Sequence, residues 1–150
     1  MRAILQRVLN ASVKVDGKTI GEIEKGLLVF LGVGEGDTEK DLKYIADKCI
    51  GLRIFSDEED KMNLSLTDVG GQMLVISQFT LYGDCRKGRR PSFTSSMEPV
   101  KAKEMYESFI KYVEETGIKT AHGEFGADMK VELLNDGPVT IIMNTDEWIK

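Results

Sequence analysis

Three short stretches of this 150-residue chain combine residue types that could do chemistry. In Ser77-Gln78-Phe79-Thr80-Leu81, three hydrogen-bonding side chains continue an otherwise apolar run, Met73-Leu74-Val75-Ile76. Burying such groups unpartnered costs ~1–3 kcal/mol each, so they either bond neighbouring strands or line a polar cavity. In Arg86-Lys87-Gly88-Arg89-Arg90-Pro91-Ser92-Phe93, four cations surround a glycine that lets another backbone approach, with an aromatic face close by. That set suits nucleotide phosphates and bases, and it also suits a merely solvated loop. In Asn135-Asp136-Gly137-Pro138-Val139-Thr140, the Gly-Pro pair is either ordinary turn chemistry or a shaped backbone device.

Other chemistries find little support. The one histidine, His122, is followed by Gly123 in a polar segment with no nucleophile motif, so a hydrolytic triad has a single weak candidate base. Gly32-Val33-Gly34-Glu35-Gly36 has neither G-x-G-x-x-G spacing nor a G-K-[ST] ending, and Glu35 would repel phosphate. Cys49 and Cys85 lie far outside C-x-x-C spacing, which points away from a zinc site or a disulfide framework and fits a reducing cytoplasm. With 20 Lys+Arg against 25 Asp+Glu, the net charge of −5 gives no broad positive field. Contact with nucleic acid must therefore be local, and the Arg86 to Arg90 cluster is the only dense basic patch. No run approaches ~20 apolar residues, so neither a membrane span nor a secretion signal is expected.

The elements that must position these residues are readable in outline. The length suits one domain over residues 1–150. Residues 3–20 alternate like a hairpin with Asp16-Gly17 at its turn. Leu27-Leu28-Val29-Phe30-Leu31 is a continuous apolar run between Gly26 and Gly32, as expected of a central strand. Thr38 and Asp41 form a capping-box pattern opening a helix over 38–50, with Leu42, Ile45, Ala46 and Cys49 on its apolar face. A short strand is expected over 52–55, and Asp57-Glu58-Glu59-Asp60 is a solvated loop. After the Gly70-Gly71 turn, one long strand should run from Met73 through Leu81. Pro99 opens a second helix with Ala102, Met105, Phe109 and Val113 as its stripe, stopped at Gly117. The last stretch predicts a strand pair, with Val131 and Leu133 on one side and Val139 and Ile141 on the other side of a 135–138 turn. The class is α+β: a mainly antiparallel or barrel-like sheet with two helices.

Taken together and in this order, Ser77-Gln78-Phe79-Thr80-Leu81, Gly88-Arg89-Arg90-Pro91-Ser92-Phe93 and Asn135-Asp136-Gly137-Pro138-Val139-Thr140 resemble the D-aminoacyl-tRNA deacylases, as does the opening Met1-Arg2-Ala3-Ile4-Leu5-Gln6-Arg7-Val8. The resemblance spans essentially the whole chain. It implies a cytoplasmic homodimer with both active sites at the subunit interface. The implied reaction hydrolyses the ester between a D-amino acid and the 3′-terminal ribose of tRNA, with glycine mischarged onto tRNA as a further substrate. No metal or organic cofactor is implied. By position, Thr80 matches the threonine of the first family motif, which the resemblance implies is catalytic as nucleophile or as positioning group, with Ser77, Gln78 and Phe79 shaping the pocket. Gly137 and Pro138 match the motif that, as the resemblance implies, enters the other subunit's pocket as a cis peptide and rejects an L side chain by collision. Arg86, Lys87, Arg89 and Phe93 are expected to bind the substrate RNA. Two other classes fit the residues: a tRNA-binding module without activity, and a dimeric scaffold whose basic loop meets a protein.

Overall fold

The computed structural model describes residues 1–150. β1 (Arg2–Val15) and β2 (Lys18–Ile23) form the expected hairpin, and the positive φ of Asp16 (49°) and Gly17 (77°) at its turn is what a tight two-residue loop requires. β3 (Gly26–Gly32) lies between β1, antiparallel, and β6 (Gln72–Ser77), parallel, so it is central as its unbroken apolar sequence requires. Between them run α1 (Glu39–Gly51) and a small hairpin of β4 (Phe55–Ser56) and β5 (Met62–Leu64). α1 starts at Thr38, whose backbone N–H donates to the Asp41 carboxylate at 2.9 Å. α2 (Pro99–Glu115) then carries the chain to β7 (Thr120–His122), parallel to β6. β8 (Lys130–Asn144) pairs antiparallel with β1, and the four-residue α3 (Thr145–Trp148) follows.

The sheet is more mixed than the sequence suggests. β3, β6 and β7 are mutually parallel because a helix-bearing crossover separates each successive pair, whereas β1 is antiparallel to all three of its partners. The sheet curls until β2 faces β7: a side chain on Gly21 would come within 2.7 Å of the His122 carbonyl oxygen. The result is a nearly closed barrel. Alternation along β3 and β6 divides their residues between two cores. Leu28, Leu74 and Ile76 pack with Val8 and Val13, while Leu27, Val29, Met73 and Val75 pack against Leu42, Ile45, Phe109 and Val113 of the helices. Both faces are buried, which explains the uninterrupted apolar runs.

Two segments depart from expectation, and both matter for function. The strand from Gln72 stops at Ser77, and Phe79–Tyr82 coils into a single 3-10 turn instead of extending through Leu81. The terminal strand pair is in fact one strand. Both halves of β8 hydrogen-bond to the same partner, β1, from Arg2 opposite Asn144 to Lys14 opposite Lys130, so β8 takes fourteen steps where β1 takes twelve. Between Asn135 and Thr140 β8 gains three residues on β1, and the Gly137-Pro138 unit rises out of the ladder; one residue is given back between Leu134 and Asn135, where the register shifts again.

Candidate active site

The end of β6 is shaped by what β3 lacks. The Gln78 N–H still donates to Leu31 O at 2.8 Å, so the backbone is held to the sheet for one residue beyond the strand. The chain then folds back across Gly32, where a side chain would lie 3.0 Å from Gln78 O and 3.1 Å from Leu81 Cβ. The turn brings the Gln78 amide onto the Thr80 hydroxyl, to which it donates. Thr80 therefore accepts from Gln78 and keeps its own proton free to donate outward. The Gln78 side chain thus finds its partner within the motif rather than on a neighbouring strand, and it also lines the adjoining cavity.

Beside this turn opens a pocket of about 620 Å³. Ser77, Gln78 and Phe79 line one wall, Phe93 and Met97 another, and Phe125, Asp128 and Met129 a third, with Tyr106 of α2 also on the lining. Most of the lining is apolar, and its two carboxylates are engaged elsewhere. Glu98 caps α2 by accepting from the Val100 and Lys101 N–H groups at 3.1 and 2.8 Å, and Asp128 pairs with Lys130 at 3.1 Å. The Tyr106 hydroxyl donates to Val75 O at 2.8 Å, and burial pushes its pKa up, so it is no base at neutral pH. His122 does not line the pocket and is exposed, its Nδ1 lying 2.7 Å from Gly123 O. No group of three or more His, Cys, Asp or Glu side chains is gathered as a metal site would need.

The basic loop adjoins the pocket through Phe93, whose ring meets Phe79 edge-to-face with centroids 5.1 Å apart. Asp84 and Ser92 close the loop with two backbone hydrogen bonds of 2.8 and 3.0 Å, leaving residues 85–91 exposed. Within it, Arg86 is not a free cation. Its guanidinium donates to Asp84 at 2.9 and 2.7 Å, and those bonds pull the Asp84 carboxyl down to about 2. Lys87, Arg89 and Arg90 have no acidic partner, so the available charge lies further along the loop than Arg86.

Gly137 and Pro138 do not line the pocket of their own chain. They are exposed, and their peptide bond is cis. Gly137 has φ 126°, and a side chain there would sit 2.9 Å from Val139 Cγ2 and 3.0 Å from an Arg7 guanidinium nitrogen. Only glycine fits both restrictions. The segment is braced on each side. Arg7 Nε donates to Asp136 O at 3.1 Å, and the Asn135 amide donates to Arg7 O and Val139 O at 2.9 and 3.0 Å. The sequence had not singled out Arg7, although a cation between Leu5 and Val8 in a strand of buried residues is a readable signal. Asp128, Met129 and Phe125 were also missed, because their loop carries no motif.

The family model for D-Tyr-tRNA(Tyr) deacylase matches residues 4–144. The chain belongs to the D-aminoacyl-tRNA deacylase family. Membership makes it a hydrolase. It is 58% identical over 145 residues to the D-aminoacyl-tRNA deacylase of Thermosipho africanus, covering 97% of each chain. To that of Clostridioides difficile it is 55% identical over 147 residues, covering 98% of this chain and 99% of the other. Among solved structures it resembles one described as a c-Myc DNA unwinding element binding protein, with 39% identity, 96% and 98% coverage and a TM-score of 0.90. A probable eukaryotic D-amino acid tRNA deacylase shares the fold at 18% identity, 95% and 97% coverage and a TM-score of 0.81. No helix is long and apolar enough to cross a membrane.

Proposed function

We propose that this protein hydrolyses the ester joining a D-amino acid to the terminal ribose of tRNA, acting in the cytoplasm as a homodimer without a cofactor. The observation that carries this reading is the junction of three parts. A hydroxyl held by Gln78, an apolar pocket large enough for a nucleoside and an exposed cationic loop meet around the Phe79–Phe93 contact.

The chemistry follows from what surrounds Thr80. Thr80 is exposed beside the pocket and does not line it, and the only side-chain hydrogen bond its hydroxyl makes is to the Gln78 amide, which cannot take its proton, so it is a poor nucleophile at neutral pH. Its free O–H and the neighbouring backbone N–H groups instead polarise the ester carbonyl as in an oxyanion hole, while the ribose 2′-hydroxyl assists attack by water. Ser77 and Phe79 shape the space around the reacting ester. Lys87, Arg89 and Arg90 contact the tRNA phosphates, with Arg86 ordering the loop through Asp84.

Chirality is read by the Gly137-Pro138 unit, which each protomer inserts into the other's pocket. Its main-chain oxygens accept from the substrate ammonium, and the Arg7 and Asn135 bonds keep the backbone from yielding. An L side chain collides with it, a D side chain points away, and glycine has nothing to collide, so glycyl-tRNA is also accepted. The second subunit has a natural seat. β8 pairs only with β1, which leaves its outer edge unpaired along 15 residues, with Leu134 and Ile142 51% and 70% exposed.

The test is hydrolysis of matched D- and L-aminoacyl-tRNA by purified protein. Rapid release from the D-ester alone is expected. Retention of tRNA with no release would instead favour a binding module, and no retention at low salt would favour a scaffold.

A further inference from the structure

Arg2 stands in the opening strand with no part in the pocket lining, yet its guanidinium reaches the turn that carries Thr80. Arg2 pairs with Gly32 across the β1–β3 ladder, so their Cα–Cβ directions share one face of the sheet. Gly32 has no side chain, and across that gap Arg2 Nη1 donates to Leu81 O at 2.8 Å. The same guanidinium lies 4.4 Å from the ring centroid of Tyr82, within cation–π range. Tyr82 is only 4% exposed and has its own close seat: a side chain on Gly34 would come within 2.4 Å of its hydroxyl oxygen. Two side-chain-free positions of the β3 region thus admit one arginine and one tyrosine, and both fasten the C-terminal half of the same 3-10 turn.

We infer that Arg2 is a positioning residue for the reaction proposed above: by gripping Leu81 and Tyr82 it fixes the angle at which Gln78 and Thr80 present their polar atoms. Apart from Arg2, the turn is held by the Phe79–Phe93 contact, the seat of Tyr82 over Gly34 and its own hydrogen bonds. The hydrogen bonds at its two ends are Leu81 N–H to Gln78 O at 3.3 Å and Gly83 N–H to Thr80 O at 3.0 Å, and Phe79 and Thr80 are exposed. Without the guanidinium, the Leu81 carbonyl loses its side-chain partner and the Tyr82 ring its cation. The turn can then rotate about Gln78, whose N–H bond to Leu31 O is untouched. The basic loop is anchored separately, by the Asp84–Ser92 bridge, so RNA binding should not change.

The inference rests on the proposed function for its kinetic arm and on the fold alone for its second arm. Arg2→Met keeps an unbranched apolar stem but removes donor and charge. In that variant kcat for D-aminoacyl-tRNA should fall by up to about 10²-fold, since a displacement near 1 Å can cost that much. KM should stay within about twofold of wild type, the split expected when only transition-state contacts are lost. Arg2→Lys, with cation restored but fork absent, should recover part of kcat. In hydrogen exchange, the amides of Leu81 and Gly83 should open faster in Arg2→Met while the β1–β3 amides keep their protection. Wild-type kcat in Arg2→Met, unchanged exchange at Leu81 and Gly83, or equally faster exchange throughout β1 and β3 would overturn the proposal, the last by revealing a general loss of stability. An inactive wild type would instead remove the proposed function, and the exchange arm would still decide whether Arg2 holds the turn.

Discussion

At the scale of single residues, Thr80 matters for the proton it retains. Because Gln78 donates to it and no base hydrogen-bonds to it, Thr80→Ala should lower turnover by about 10²–10³-fold, the usual cost of one oxyanion donor. That is far short of the ~10⁶-fold drop on loss of a true nucleophile. Rapid-quench mass spectrometry should find no aminoacyl ester on the wild-type protein, and such an adduct would refute the positioning role. Gly137 invites the opposite experiment, because adding atoms is harmful there. Gly137→Ala meets both an unfavourable φ and two contacts at or below 3.0 Å. It should cost ~1–3 kcal/mol of stability by urea unfolding, as backbone strain of this kind does, and abolish D-ester hydrolysis. Retained activity with unaltered stability would show that the segment is not braced as described.

At the scale of elements, the sequence disclosed whatever is set by periodicity and lost whatever is set by partners. Leu27 to Leu31 had to be buried on both faces, and Thr38 with Asp41 had to begin a helix, because those signals are local. The end of β6 was different: Phe79-Thr80-Leu81 has good strand residues, but the curl depends on space above Gly32, which no property of residues 79–81 reports. Likewise Asn135-Asp136-Gly137-Pro138 has the composition of a hairpin turn, and only the length of β1 makes its two flanks one strand. The motif residues of the pocket were legible, whereas Arg7 and the loop bearing Met129 reach the site through tertiary contacts alone. The basic loop was legible as a charge cluster but not in its division of labour. Since Arg86 is held by Asp84, Arg86→Ala should leave the salt dependence of tRNA binding nearly unchanged. Lys87→Ala with Arg89→Ala should flatten it by about 0.7–0.9 log units per lost phosphate contact. Equal slopes for both variants would contradict that division.

For the whole molecule, the proposed homodimer would cover the exposed edge of β8 and carry the Gly137-Pro138 unit of one chain to the pocket of the other. Sedimentation should give about twice 16.7 kDa, and full activity from a species that stays monomeric in the assay would defeat the dimer. The termini add a pH dependence. The Met1 ammonium lies 2.6 Å from Asp37, and Lys150 Nζ lies 2.8, 3.3 and 3.0 Å from Asp37, Asp41 and Asp146, tying α3 to the start of α1. Burial raises the Asp41 pKa, but hydrogen bonds from Thr145, Thr38 and Lys150 outweigh it and bring the carboxyl down to about 2. A carboxyl depressed by folding stabilises the native state above its unfolded value near 3.9, and that contribution is lost as pH falls towards 2. Asp41→Asn should therefore cost on the order of 2 kcal/mol at neutral pH. By urea unfolding, the gap from wild type should close as the pH is lowered from 4 to about 2. A gap that stayed constant over that range would show that the charge of Asp41 contributes nothing.

The surplus of β8 over β1 is an even number, and that parity is itself a constraint. Val131 and Leu133 before the bulge, and Val139, Ile141 and Met143 after it, all face cores, because two additional residues restore the alternation that one would invert. Removing one residue from 136–138 would turn Val139, Ile141 and Met143 towards solvent and unfold the sheet's longest ladder. Removing two would keep Val139, Ile141 and Met143 facing inward while shortening the projecting segment, so the chain could lose its selectivity device while keeping its fold. Families of such sheets should therefore tolerate length changes at this bend in steps of two, and a screen of one- and two-residue deletions for soluble protein would display that rule directly.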